Sequence, residues 1–143
     1  MINVEKPKND SSVLETFELA SIGSRLFALI IDNILIGIIS GIVGGVSGSD
    51  GGVIGFITYF LLLSGYQWYF LLYRNGQTPG KSAMHIRVIK TDGTPMSGSD
   101  AVLRALGYVI NNALLGLGWL WALFDSSYQG IQDKLANTYV VKA

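Results

Sequence analysis

Residues 53–73 run for 21 positions without a single Asp, Glu, Lys or Arg. About 20 predominantly apolar residues are what an α-helix needs to cross a hydrocarbon core roughly 30 Å thick. In lipid every backbone polar group must be satisfied internally, so a segment of this kind has to be helical. A second long apolar run, residues 26–46, precedes it. The two are joined by Ser-Gly-Ser-Asp-Gly-Gly, a turn too short for anything but an antiparallel helical hairpin.

Composition agrees with a membrane setting. Half of the 143 residues are hydrophobic and only 14% are charged, against about 25% charged in soluble domains. The length fits one domain. Ten basic and ten acidic residues cancel, so no strong charge argues for nucleic acid. Without cysteine, disulfides and thiolate metal sites are excluded. Residues 1–19 form a polar N-terminal segment. A signal peptide would begin with a basic stretch and 7–15 apolar residues, so the first apolar run reads as a retained helix. The expected fold is an all-α membrane protein: a transmembrane hairpin (26–46 and 53–73), a loop (74–100), a third membrane-embedded segment (101–124) and a tail (125–143).

Charge asymmetry orients the hairpin. Arg74, Lys81, Arg87, Lys90 and Arg104 follow the second helix, and Lys6, Lys8 and Arg25 precede or open the first. By the positive-inside rule both regions are cytoplasmic, the short turn is outside, and the chain is multi-pass in the cell membrane. Tyr66, Trp68, Tyr69 and Tyr73 form an aromatic girdle at the inner end of the second helix. Within the loop, Thr78-Pro79-Gly80 signals a turn, residues 85–90 a short strand, and Asp92-Gly93 a tight hairpin turn. Residues 138–141 are a second β-prone run. If residues 101–124 span, parity puts the tail outside. If they fold back at the breaks near Asn112, Gly116 and Gly118, the tail returns to pair with the loop strand, giving a small cytoplasmic β element.

Charged residues inside a membrane helix cost about 2.5–3.5 kcal/mol on insertion scales. Arg25 and Asp32, seven residues apart, emerge within about 20° of each other. They read as an ion pair or ion-binding site. Arg104 and Asn111 repeat that spacing in the third segment, and Gln67 is the strongest polar group near the inner end of the second. Gly37, Gly41 and Gly45 form a tandem small-xxx-small motif on the face nearly opposite Asp32. Such a face packs on a neighbouring helix, here either the second helix or another copy of the chain.

These blocks resemble the RDD family of small bacterial membrane proteins. The resemblance rests on Arg-Leu-Phe-Ala-Leu-Ile-Ile-Asp at 25–32, on the Thr-Pro-Gly-Lys block at 78–81 with the strand and turn after it, on Leu-Arg-Ala-Leu at 103–106, and on Gln-Gly-Ile-Gln-Asp-Lys-Leu-Ala-Asn-Thr at 129–138. It covers roughly residues 20–142. It implies that Asp133 is the third member of the motif beside Arg25 and Asp32. Two positions depart from the family pattern: Gln132 stands where His is frequent, and Asn137 where Gly is usual. If Asp133 works with Arg25, the tail lies on the cytoplasmic side, which favours the re-entrant reading.

The resemblance implies transport of unidentified ligands, with sodium/proton exchange reported for some members. The leading expectation is therefore transport of a small ion, H⁺ or Na⁺, by a homo-oligomer. Asp32 would titrate, Arg25 would be its counter-charge, and Asp133 a gate or second carboxylate. The alternative is a non-transporting scaffold whose Arg–Asp network is structural and whose loop binds a membrane protein partner. No catalytic residue, cofactor or metal is expected. His85 reads as a surface residue, and Asp32, Asp125 and Asp133 would need the fold to assemble them around a cation.

Overall fold

A computed structural model describes residues 1–6, 13–48, 52–114 and 117–143. The elements in order are β1 (Ile2–Lys6), β2 (Val13–Phe17), α1 (Ile22–Ser47), α2 (Gly52–Tyr73), α3 (Pro79–Ala83), β3 (Ile86–Lys90), α4 (Gly98–Ala113), α5 (Leu117–Phe124), α6 (Ile131–Ala136) and β4 (Thr138–Lys142).

Both long apolar runs are helical, and α1 starts a turn earlier than hydropathy alone suggests. The Ser21 side chain accepts from Ser24 N at 3.1 Å, an N-cap that places Arg25 inside the helix. The C-terminus of α1 closes on Gly48 at φ 67°, a left-handed cap that favours glycine. Part of the turn between the helices, residues 49–51, lies outside the described residues. The apolar surface of this hairpin faces outward. Only 17% of the most apolar window in α1 and 11% of that in α2 is buried. The core helix of a soluble protein would be mostly covered, so this outward apolar surface agrees with helices that cross a membrane.

Antiparallel pairing of β3 with β4 joins the loop strand to the tail, Ile86 opposite Lys142 and Lys90 opposite Thr138. The other edge of β4 is occupied as well. Ala20 N donates to Val140 O at 2.9 Å and Lys142 N to Glu18 O at 2.8 Å. Three distant parts of the chain therefore meet in one place. Ala20, Ala28, Leu71, Ile86, Val88, Ala101 and Val140 form a compact core beneath it.

The fold is mostly helical, but two expectations need correction. Within the polar N-terminal segment, β1 and β2 pair antiparallel with Ile2 opposite Phe17. Together with β3 and β4 this makes two small sheets rather than a single β element. Nor does Asp92-Gly93 close a hairpin. It makes a turn, with Thr94 N donating to Asp92 Oδ1 at 3.0 Å, but the partner of β3 is β4, some 50 residues on.

The third apolar segment is broken into α4 and α5. Ser97 and Asp100 open α4 with reciprocal hydrogen bonds, Ser97 N to Asp100 Oδ2 at 2.8 Å and Asp100 N to Ser97 Oγ at 3.3 Å. The expected break at Gly116 lies outside the described residues, whereas Gly118 sits within α5. After α5, residues 125–130 turn the chain into α6, which leads into β4. Because β3 and β4 are hydrogen-bonded neighbours, the chain between them ends on the side where it began. Cysteines introduced singly at Ser82 and Ala143, both exposed, should react with an impermeant thiol reagent from the same face of the membrane. Labelling from opposite faces would contradict this arrangement.

Candidate functional site: a locked aspartate and a caged aspartate

Asp133 is the most enclosed charge in the chain. It occupies the first turn of α6 and is 0% exposed. Its Oδ2 accepts from Arg25 Nη2 of α1 and from Gly130 N at 3.1 Å. Its Oδ1 accepts from Arg104 Nη1 of α4 and from Thr138 Oγ1 at 3.3 Å. A carboxylate offers about four lone-pair sites, and all four are used. The guanidiniums are held in turn. Arg104 Nη1 also donates to Thr138 Oγ1 at 2.6 Å, and Arg25 Nη1 to the Tyr128 carbonyl. Trp119 and Tyr108 lie 5.4 and 5.9 Å from the Arg25 and Arg104 carbons, respectively, which adds cation–π support.

Local sequence explains why α6 can carry this residue. Gly130 has no side chain to cap the helix, so Asp133, three residues on, reaches back to the free Gly130 N–H. Glycine is also needed on the facing helix. A methyl group added at Gly107 would overlap Gln132, so α4 and α6 approach backbone to backbone there. At the far end, Asn137 takes φ 51° and caps α6 through a hydrogen bond to Asp133 O. Asparagine thus keeps the left-handed turn.

Asp32 stands in a separate cage. It is 1% exposed. Its Oδ1 accepts from Tyr66 OH and from Gly80 N, both at 2.8 Å, and its Oδ2 from Thr78 Oγ1 at 2.5 Å. Among the described residues it makes no ion pair. The expected pairing of Arg25 with Asp32 is therefore corrected. The two share a helical face, but seven residues separate them by about 10.5 Å along the axis. Arg25 reaches α6 and Asp32 reaches α3.

Thr78-Pro79-Gly80-Lys81 builds that cage. Thr78 caps α3, accepting from Lys81 N at 3.2 Å while its hydroxyl proton goes to Asp32. Pro79 fits the first helical turn, where its missing N–H costs nothing. Gly80 must be glycine, since a Cβ there would collide with Ala28 O and lie 2.8 Å from the Asp32 carboxyl. Sequence reading took this block for a turn. The signal available was the buried Asp32, which has to find donors somewhere.

The other predicted positions divide. Arg104 joins the Asp133 network. Asn111 and Gln67 are buried, but among the described residues Asn111 Oδ1 and Gln67 Oε1 have no partner. Gly37, Gly41 and Gly45 are exposed, and a methyl at any of them would meet nothing within 4 Å. The reading that packs this face on α2 is corrected. The seam between α1 and α2 runs instead through the Tyr59 hydroxyl, which donates to Asn33 Oδ1 at 2.8 Å, and through Tyr66 and Asp32. The three aspartates do not converge on a cation. Asp125 pairs with Lys134 at 2.9 Å, Asp133 with two arginines, and Asp32 with neutral donors.

The sequence model of the RDD family matches residues 19–137. The chain belongs to the RDD family. No curated protein and no solved structure matches it. As an RDD membrane protein, it uses the Arg of its first helix and the Asp of its last helix as one contact, and the Asp of its first helix as another.

Burial alone would raise the Asp133 pKa, but Arg104 and Arg25 outweigh it and hold the carboxyl below its ordinary value of 3.8. A depressed folded pKa gives stability that is present above the unfolded value and lost as pH falls through the folded one. Thermal stability should therefore fall off below pH 3.8, and the Asp133→Asn variant should lack that component of the acid transition. The same variant leaves two buried guanidiniums uncompensated, which costs about 3–5 kcal/mol. A denaturation midpoint close to that of the unsubstituted chain would contradict the lock.

Proposed function

We propose that this RDD protein moves protons across the cell membrane as an oligomer, with Asp32 as the group that takes up and releases the proton. The observation that carries this reading is the setting of Asp32. It is a buried carboxylate, without a counter-charge among the described residues, on a helix of membrane-spanning length. Ionisable residues inside membrane segments mark ion and proton pathways by default. Three donors already occupy three of about four acceptor sites on the carboxylate. What is left suits a proton better than the shell of six or so oxygens that a bare metal cation takes. H⁺ is thus favoured over Na⁺.

In this reading Arg25 is not the counter-charge of Asp32, and Asp133 is not a gate. Arg25, Asp133 and Arg104 form the frame that keeps α1 in register with α4 and α6. Both small sheets lie on the cytoplasmic side with the N-terminus, where the basic residues concentrate, and α4 and α5 dip into the bilayer and return. Two spanning helices are too few to enclose a path, and the open face at Gly37, Gly41 and Gly45 lets a second copy approach closely.

A scaffold role is the second reading, and it is favoured by how completely the Asp133 network is satisfied. The two separate in proteoliposomes. With an imposed pH gradient, the unsubstituted chain should dissipate it with or without Na⁺, and Asp32→Asn should abolish the flux while its circular dichroism stays intact. Absence of flux from the unsubstituted chain would leave the scaffold reading.

A further inference from the structure

Between β3 and the N-terminal hairpin lies a cavity of about 300 Å³, whose wall includes Val4, Glu15, Phe17, Leu72, Arg87 and Ile89. Val4 stands opposite Glu15 in the β1–β2 register, and Phe17 is two residues on. Side chains alternate along a strand, so all three lie on one face of the hairpin. Arg87 and Ile89 share one face of β3 for the same reason. The Arg87 guanidinium lies over the Phe17 ring at 5.7 Å, which fixes how the two faces meet. At this volume the cavity reaches the range of small-molecule sites, roughly 300–1,000 Å³.

One charge in the wall is unmatched. Lys90 also lines the cavity, but its ammonium is 3.2 Å from Asp100. Among the described residues the Arg87 guanidinium makes no ion pair or hydrogen bond, and its Nε is buried without a partner. Buried polar groups in folded proteins are nearly always satisfied. A guanidinium has five donors in a planar fork and no acceptor, so an oxyanion is the group that completes it. Carboxylate and phosphate both suit that fork.

Charge then selects between them. Glu15, which has an interaction of its own, stands in the same wall. A phosphate monoester carries about 1.5–2 negative charges at neutral pH, and the excess would meet that carboxylate. A carboxylate carries one. The wall around Arg87 also presents Leu72, Ile89 and Met96, which suits an apolar body without further charge. We propose that this cavity binds a small monocarboxylic acid in its ionised form, its carboxylate on Arg87 and its apolar body against Leu72, Ile89 and Met96. The site is independent of proton movement at Asp32.

The test uses the full chain, purified in detergent, with benzoate and hexanoate as probes and benzamide and hexanamide as their uncharged counterparts. Both acids should raise the melting temperature saturably, and neither amide should. Phenyl phosphate should bind more weakly than benzoate. Saturation-transfer NMR should show the benzoate ring in contact with the protein, and excess hexanoate should remove the signal. Loss of a charge-assisted hydrogen bond in Arg87→Gln predicts at least about tenfold weaker benzoate binding. Leu72→Trp narrows the cavity, leaves Arg87 in place and should weaken binding as well. Should Arg87→Gln fail to fold, the anomalous signal of a bromobenzoate in crystals of the unsubstituted chain decides, with one peak expected beside Arg87. Equal stabilisation by acids and amides would overturn the site, since apolar partitioning alone would explain it. So would the absence of stabilisation by either acid, tighter binding of phenyl phosphate, or unchanged benzoate affinity in Arg87→Gln or Leu72→Trp.

Discussion

A single carboxylate, bridged on its two oxygens by arginines from different helices, is the contact on which the rest of the architecture depends. Asp133 draws Arg25 from α1, Arg104 from α4, the start of α6 and Thr138 of β4 to one point. None of these groups could be buried alone, since an uncompensated charge in a low-dielectric interior costs several kcal/mol. The constraint is therefore mutual. To satisfy Asp133, α6 must lie against α4 closely enough to require glycine at 107. Residues 138–142 are then delivered to β3, and the gap between β3 and residues 18–20 is closed. The return of the chain after α5 follows from this charge balance.

The two acidic members of the motif have opposite chemistry because their neighbours differ. Asp133 is fixed by charge, and Asp32 by neutral donors whose geometry is set by a short capped helix. Thr78 serves as both cap and donor, Gly80 supplies an N–H at a point no side chain could occupy, and Tyr66 reaches across from α2. The first arrangement resists change, since any loss of charge strands two guanidiniums. The second contains no ion pair to break. A membrane protein that must keep its frame while one group changes state would need this division.

Much of the frame was legible in the sequence. Long apolar runs marked α1 and α2, and β-prone residues marked β3 and β4. Of the breaks expected in the third segment, Asn112 falls within α4 and Gly118 within α5, and Gly116 lies outside the described residues. The contact between Arg25 and Asp133 came from resemblance rather than from spacing, because residues 108 apart leave no periodic trace. Helical periodicity suggested a partner for Arg25 on its own helix. It was misleading because angular proximity on a helix says nothing about which layer above or below supplies the contact. The hairpin of β1 and β2 was missed because its strands are five residues each and carry charges. Short polar strands are identified by their partners and not by their own pattern. The role of Thr78-Pro79-Gly80 was hidden for a related reason: its caps are local, but its purpose lies 46 residues upstream at Asp32.

The glycine face of α1 shows what the monomer alone leaves unexplained. Glycine in a helix interior costs roughly 1 kcal/mol relative to alanine, and Gly37, Gly41 and Gly45 carry that cost with no neighbour placed to benefit. Elsewhere the chain uses glycine where backbones meet, at Gly80 against Ala28 and at Gly107 against Gln132. The opposite face of α1 is committed to Arg25, Ala28, Asp32 and Ile36, all buried within the chain. What remains turned outward is a strip without side chains, flanked by Ile34, Ile38 and Ile42, each more than half exposed. Lipid would gain nothing from such a strip that leucine or isoleucine would not provide better. Close backbone contact is the one interaction in a bilayer that small residues make and large ones prevent. The face is therefore shaped for close approach of another backbone, and in the proposed oligomer a contact there would put two Asp32 cages on the far sides of their helices rather than in the seam. Under the proposed function, a proton path through Asp32 would then run along each α1–α2 pair, with the proposed interface between copies as its rigid support.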